Sequence, residues 1–540
     1  MATKYKFAGR TVKLPGAYSR IVSGRNNPPL DLDFGRVLII ASEDHDIMGG
    51  AGVNGENSER KDSIYSFRSL KDFQDFVGQG LWWKAGESLF QPNRFDPGAS
   101  EIIVVKPCET TSASLTLDTT TSDNGVKLVL KTLDEGLLAN GVIETIDGED
   151  YLRQGYAFTV EPGERDPSKF IMKLWVSSYR GESSDTYSYD EITVQKARPI
   201  LLTQSIEFEN AQELIDWANN DKALLSRFIV SDTESKGTGV ITPADLVTYA
   251  DITVATGGNS IYGAIDFDDM LEDISDLNFN FVMYLSGENV HTDTETLKLV
   301  NFLGQQLNYQ KFLFVGGSDD DLSESIVSSQ VFNTDLVGLV HGGIKLRSRV
   351  SPTGFRSWNS HIHASYIVGR LAGLPPQVPI TFKAINIDGL VDNLNVTKRE
   401  DALDSGVIVT NFDDDRGLFI IEQGVNTLQD NDFTLNPDAT SHVIQIKRIA
   451  SQLNRELIFN AKSDLLSNPA GVNRNTLSEK DVLEWTKGYL QRKVATTDID
   501  NLLISFQNIT VTRIEDSYNV TYEFEPNSEI RIIFFTGFML

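Results

Sequence analysis

Apolar residues recur along this chain with two different periods, and the switches between them mark its organisation. RVLIIASE, from Arg36 to Glu43, is an unbroken apolar run of the kind that a strand buried on both faces requires. SLKDFQDFVG then sets Leu70, Phe73, Phe76 and Val77 at helical spacing, with Gly78 at the stop. From Glu101 to about Arg198 the pattern alternates through EIIVVK, SLTLDT, VKLVLKT, GYAFTV and FIMKLWVSS, with turn residues in SDNG and EPGERDP, which predicts a β-rich module. From about Ile206 to Arg347, helix-like segments (NAQELIDWANN, FDDMLEDISDL, TETLKLVNFLGQQL) alternate with apolar runs (FVMYL, KFLFVGG, DLVGLV), the pattern of an α/β unit with a mainly parallel sheet. The remainder opens on a helix with small residues, HIHASYIVGRLAG. It continues through strands at GVIVTNF and LFIIEQG and a helix-rich stretch over 441–493, and closes on two strand pairs near ISFQNITVTRIED and YNVTYEFEP.

The two ends differ from everything between them. Residues 1–30 carry Pro15, Gly16, Gly24, Pro28 and Pro29 among polar residues, which disfavours a helix and suits an extended arm. The chain ends, after the polar EFEPNSE, in IRIIFFTGFML, apolar enough to need a covering surface. No fixed-period repeat and no low-complexity tract is evident. The expected fold class is therefore mixed α+β and α/β, multidomain. Its divisions are an arm (1–30), a first core part (31–100), a β-rich insertion (101–200), an α/β domain (201–347), a C-terminal domain (348–528) and a terminal strand (529–540).

Composition narrows what such a chain does. At 540 residues, 40% hydrophobic and 23% charged, it is globular and too long for one core. A formal charge of −28 repels a phosphate backbone, which argues against nucleic acid as a partner. No apolar run reaches a membrane-spanning length, so no membrane partner is expected. A single cysteine, Cys108, excludes an intrachain disulfide and any multi-cysteine metal site, and suits a reducing compartment.

Candidate chemistry is sparse. Gly50, Gly52 and Gly55 form GxGxxG after a strand, yet SEDHDIM intervenes and a polar ENSERKDS follows, so a loop is favoured over a dinucleotide site. Carboxylates gather at Asp266, Asp268 and Asp269, at Asp319, Asp320 and Asp321, and at Asp413, Asp414 and Asp415. None has the alternating spacing of a calcium loop, and solvated turns account for them. His361 and His363 on a helix would point about 200° apart, the wrong geometry for shared ligation. Near His45 the run EDHD suits an ion pair, and HExxH, GxSxG and GxxxxGK[ST] are absent. Cys108 reads as a packed side chain. No catalytic, metal or cofactor site is expected.

Charge is distributed unevenly. Over residues 441–493 nine basic residues, Lys447, Arg448, Arg455, Lys462, Arg474, Lys480, Lys487, Arg492 and Lys493, face five acidic ones, a net +4 in an acidic chain. The segment suits an acidic partner or another copy of this chain. A helix pair with basic residues on its solvated face explains it equally well.

Taken in order, these segments resemble the contractile tail sheath proteins of bacteriophages and of injection machines such as R-type pyocins. PGAY at Pro15–Tyr18 is similar to the family's PGVY, and SIYSFRSLKDFQDFVG from Ser63 follows its strand, loop and D-F, F-G pattern. EGLLANGV at Glu135 resembles a family turn without its usual PG and W. ATGGNSIYGAIDFDDMLEDI at Ala255 carries Asn259 and Phe267 where the family has Asp and Tyr. ASYIVGRLAGLPPQVPITFKAI (Ala364 to Ile385), RGLFIIEQGVNTL at Arg416 and HVIQIKRIASQLNREL at His442 match the elements that follow. Each motif is degenerate, and their collinearity carries the resemblance.

The resemblance implies a non-enzymatic structural subunit without cofactor, located in a virion tail assembled in the host cytoplasm. Its partners would be further copies of itself in stacked hexameric rings, the inner tail tube protein, and baseplate and tail terminator proteins. Contraction of that lattice drives the tube through the host envelope, and strand exchange between neighbours holds it together. On this reading the arm around Pro15, Gly16 and Tyr18 and the terminal strand with Ile530, Ile532, Ile533, Phe534 and Phe535 are donated to other subunits. Lys447, Arg448, Arg455, Lys480, Lys487, Arg492 and Lys493 would face the tube or the next ring. A soluble nucleotide- or metal-binding α/β enzyme and a non-contractile virion protein are the alternatives.

Overall fold

A computed structural model describes residues 5–7, 10–12, 35–49, 64–78, 80–94, 96–146, 149–177, 199–246, 252–263, 267–285, 290–305, 311–348, 354–429, 442–466, 477–494, 501–514 and 517–527. The chain divides into residues 1–33 and 34–540. Within the first, Tyr5–Phe7 pairs antiparallel with Arg10–Val12.

In the second, a seven-stranded sheet forms around β1 (Arg36–Ile40). Its other strands are β2 (Ile64–Phe67), β3 (Glu101–Val105), β4 (Phe281–Tyr284), β5 (Phe312–Gly316), β6 (Val337–Val340) and β7 (Val407–Ile408), in the spatial order β7-β6-β5-β4-β1-β3-β2. All neighbours are parallel except β2, which runs antiparallel to β3. Helices cover both faces, which is why these strands are unbroken apolar runs and not alternating ones. Strand alternation deals the side chains between two cores. Val37 and Ile39 face α1 (Leu70–Val77), α2 (Leu81–Phe90) and α6 (Ser360–Ala372). Leu38 and Ile40 face α3 (Phe267–Ser275), α4 (Thr294–Gln305), α5 (Leu322–Phe332) and α7 (Val396–Asp404). The mixed α/β, multi-sheet architecture expected from the sequence is the one observed.

Every residue of α6 is buried, because the helix lies between the sheet and α2. Its small residues allow that approach. A Cβ on Gly369 would stand 2.4 Å from the Ser88 carbonyl oxygen of α2, so the two backbones meet there with no room for a side chain.

Between β3 and β4 lies a second module with its own core. One antiparallel sheet is built from 200–204, 170–176, 156–162 and 253–254, another from 228–235, 126–135, 108–118 and 259–262. Helix Ala211–Asn220 packs with both through Leu214, Ile215, Trp217 and Ala218. The module thus runs from 108 to 262, beyond the boundary near 200 expected from the sequence. NAQELIDWANN belongs to its core and not to the α/β unit, because long-range pairing of 228–235 with 126–135 closes the sheet around that helix. A buried polar joint ties module to core: Lys106 Nζ lies 3.2 Å from Asp46 Oδ1 and donates to the carbonyls of Ile47 and Glu135, while Asp46 also accepts from Ser260 and Tyr262.

Candidate intersubunit site

The C-terminal part is a helix pair carrying a hairpin. α8 (Ile444–Ala461) and α9 (Glu479–Lys493) pack Ile449, Leu453, Tyr489 and Leu490 against Leu502 and Leu503. A capping box starts α9: the Asp481 N–H donates to Ser478 Oγ, and the Ser478 N–H donates to Asp481 Oδ2.

The hairpin is β8 (Leu503–Ile514) and β9 (Ser517–Pro526). Alternation along β9 places Tyr518, Val520, Tyr522 and Phe524 half-buried on one face and Asn519, Thr521, Glu523 and Glu525 exposed on the other. Phe506, Ile509, Tyr522 and Phe524 cover the helix core only in part, and burial pushes the Tyr522 phenol up to about 12. The root of the hairpin is fixed: Gln445 Nε2 donates to the Asn527 and Gln377 carbonyls, and the Asn527 N–H donates to the Leu502 carbonyl. At the turn end, Tyr518 donates to the Leu477 carbonyl and the Arg513 N–H to Glu479. The sheet has two strands, and neither outer edge pairs with another described strand. Long paired strands with open edges are a template for a further strand. Of the residues expected to supply one, Pro15, Gly16, Tyr18, Ile530, Ile532, Ile533, Phe534 and Phe535 all lie outside the described residues.

The basic segment splits in two, which corrects its reading as a single outward surface. Lys447 is 2% exposed and pairs with the buried Asp335 at 2.7 Å. Arg448 donates to the Leu371 and Leu374 carbonyls at the end of α6, at 2.9 and 2.7 Å, and burial lowers it to about 9. Arg455 donates to Asn278 Oδ1. These three side chains fasten α8 to the α/β core, where orphan carbonyls and a buried carboxylate need cations. On α9, Lys480 (79% exposed, 3.8 Å from Glu484), Lys487 and Arg492 face solvent, while Lys493 reaches Glu456 at 2.5 Å. Helical spacing marked the basic residues but not which of them meet the core.

The other candidate chemistry resolves into local bonding. Gly50, Gly52, Gly55 and Asp266 fall outside the described residues. Asp268 pairs with Lys298, Asp319 accepts the Ser360 N–H, Asp321 caps α5, and Asp413 closes its own turn through the Asp415 and Arg416 N–H groups. Cys108 is buried and its thiol is pushed up to about 12 by that burial, the opposite of what a nucleophile needs. His361 Nδ1 accepts the Gly316 N–H. His363 bonds the Gly342 carbonyl through Nδ1 and the Thr410 hydroxyl through Nε2. A Ser325–His341–Asp392 chain, unmarked in the sequence, sets Ser325 Oγ 3.0 Å from His341 Nδ1 and Asp392 3.5 Å from Nε2, the reverse of the ring nitrogens a hydrolase triad uses. Ser325 is fully buried and already accepts the Ser318 N–H, so no substrate carbonyl reaches it. Among the described residues no group of His, Cys, Asp and Glu could hold a metal ion, and no helix is long and apolar enough to cross a membrane.

Known proteins resemble the chain as a whole. No family model matches it. It is 22% identical to the tail sheath protein of Bacillus phage SP01, across 96% of this chain and 94% of that one. The crystal structure of a sheath tail protein from Desulfitobacterium hafniense superposes with a TM-score of 0.52 at 12% identity, covering 94% of this chain and all of the other. A sheath tail protein from Listeria innocua gives 0.49 at 14% identity, over 92% and 93% of the two chains. The resemblance read from the collinear motifs therefore holds from end to end, and the fold is shared with the first of these structures.

Proposed function

We propose that this chain, which has the fold of a sheath tail protein, is a structural subunit of a contractile tail sheath, a virion component that polymerises around an inner tube and contracts to drive it through the host envelope. The observation that carries the reading is the unfinished C-terminal sheet. Two strands of 12 and 10 residues stand on a helix pair with a half-covered apolar face, and among the described residues neither outer edge is paired. The chain itself ends in an apolar strand-like segment that needs a sheet. A terminal strand donated from one copy to the hairpin of another satisfies both, and a covalently rooted strand keeps neighbours linked while their bodies rotate. The arm around Pro15, Gly16 and Tyr18 takes the same part at the other end of the chain. Stacked hexameric rings, the tube, the baseplate and the terminator are the partners of that role. The exposed face of α9, with Lys480, Lys487 and Arg492, is turned to the tube or the next ring, and the β-rich module lies outward. No step in this role requires catalysis.

Deleting residues 529–540 tests it. Negative-stain microscopy of the full-length chain is expected to show hollow helical cylinders, and the truncated chain to stay a folded monomer. Intact cylinders from the truncated chain would refute strand donation.

A further inference from the structure

The joint between the α/β core and the β-rich module holds its ion pair in a reactive arrangement. Lys106, one residue past β3, and Asp46, in the turn after β1, are 1% and 8% exposed, with Nζ 3.2 Å from Oδ1. Two of the three N–H groups of Nζ are committed, to the Ile47 carbonyl at 2.9 Å and the Glu135 carbonyl at 3.0 Å. The third is left for the carboxylate. When that proton moves to Asp46, the lone pair it uncovers is directed at the carboxyl group. The carboxylate is fixed as closely: Oδ1 accepts the Tyr262 hydroxyl at 2.7 Å and the Ile47 N–H at 2.8 Å, and Oδ2 accepts the Ser260 hydroxyl at 2.8 Å. Two donors converge on one oxygen, as in a site that stabilises a tetrahedral oxyanion. The other oxygen meets a single hydroxyl, which accepts as well as donates and so can pass a proton to a leaving oxygen.

The surroundings of the pair disfavour charge. Burial pushes the Tyr262 phenol, the Cys108 thiol and the Asp134 carboxyl up, each towards its uncharged form. A Cβ on Gly136 would stand 2.2 Å from Nζ, so the backbone lies against the amine and keeps water off it. Two desolvated ions are costly in such a site, and an amide in their place carries no charge. The fixed contact also replaces the bimolecular encounter that makes amide formation slow in water.

We propose that Lys106 and Asp46 condense into an isopeptide bond that staples the module to the core. The Nζ–Cγ bond forms and the Cγ–Oδ2 bond breaks. Two of the three ammonium protons leave with Oδ2 as water, and the third stays on the amide nitrogen. The two charges cancel, and no oxidant, reductant or activating group is consumed. Oδ1 remains as the amide carbonyl, facing the Tyr262 hydroxyl and the Ile47 N–H. The bond forms within one chain and does not depend on assembly. It closes the turn after β1 onto the entrance of the module, where the chain leaves β3 for the strand 108–118.

Intact-mass spectrometry of the purified full-length chain, shown to be folded by cooperative melting and then denatured for the measurement, reads the bond directly. One water, about 18 Da, should be missing from the sequence mass. A tryptic digest should yield residues 37–60 and 95–127 joined as one branched species. Lys106→Arg keeps the positive charge without a condensing amine, and Asp46→Ala removes the carboxyl. Each should restore the full mass and release the two peptides separately. The full sequence mass in the folded parent chain overturns the proposal. So does a loss of water that maps to any other residues, or one that persists in Lys106→Arg. The parent chain carries the decisive reading, so if either variant fails to fold, the branched peptide alone decides.

Discussion

His363 makes the α/β core acid-labile over a defined range. The ring is fully buried, and burial holds its pKa near 4, well below the ordinary value of 6.5. Nδ1–H donates to the Gly342 carbonyl, so Nε2 is the acceptor for the Thr410 hydroxyl, and the native state prefers the neutral ring. Below pH 6.5 the unfolded chain takes up a proton here that the folded chain refuses. The contribution to stability is therefore complete above about pH 6.5 and is lost as pH falls towards 4. A displacement from 6.5 to about 4 corresponds to about 3 kcal/mol in full, of which about 2 kcal/mol is gone by pH 5. His363→Gln keeps a neutral, hydrogen-bonding side chain that does not titrate. It should cost stability at pH 8 through imperfect packing, with that cost shrinking by about 2 kcal/mol at pH 5. The assay is amide exchange by mass spectrometry on peptides spanning 312–316 and 337–340, comparing variant and parent at the same pH so that intrinsic exchange rates cancel. The ratio of their protection should change by roughly 30-fold between pH 8 and pH 5. An unchanged ratio would refute the reasoning, since it would mean that the ring does not titrate differently in the folded and unfolded states.

Other tests address packing and assembly. Lys447→Met removes the ammonium 2.7 Å from the buried Asp335 and should cost about 3–5 kcal/mol in urea unfolding, while Lys447→Met with Asp335→Leu should recover most of it. Equal losses in the single and double variants would contradict the pairing. Gly369→Ala must push α2 away from α6 and should cost about 1–3 kcal/mol, read as a lowered melting midpoint; a neutral effect would mean the two backbones do not meet there. Lys480→Glu with Lys487→Glu should weaken co-assembly with the tube protein and its salt dependence, while leaving monomer stability within about 0.5 kcal/mol. Unaltered co-assembly would argue against α9 as the tube-facing surface.

Much of this protein was legible in one dimension because burial leaves a periodic trace. RVLIIA, FVMYL, KFLFVGG and DLVGLV read as buried strands because helices cover both sheet faces, and β9 alternates because only one of its faces is covered.

What only the tertiary structure decided is which distant segments share a core. The strands at 36–40, 101–105, 281–284 and 407–408 belong to one sheet, and 228–235 closes on 126–135 around a helix that sequence order assigns elsewhere. Nor does spacing distinguish Lys447, Arg448 and Arg455 from Lys480, Lys487 and Arg492. All six lie on amphipathic helices, and only the carbonyls of Leu371 and Leu374, the amide of Asn278 and the carboxylate of Asp335, each far away in sequence, convert the first three from surface charge into internal fastenings. Local pattern records how much of a side chain is covered. The identity of what covers it is a property of chain topology, set by contacts that no window along the sequence contains.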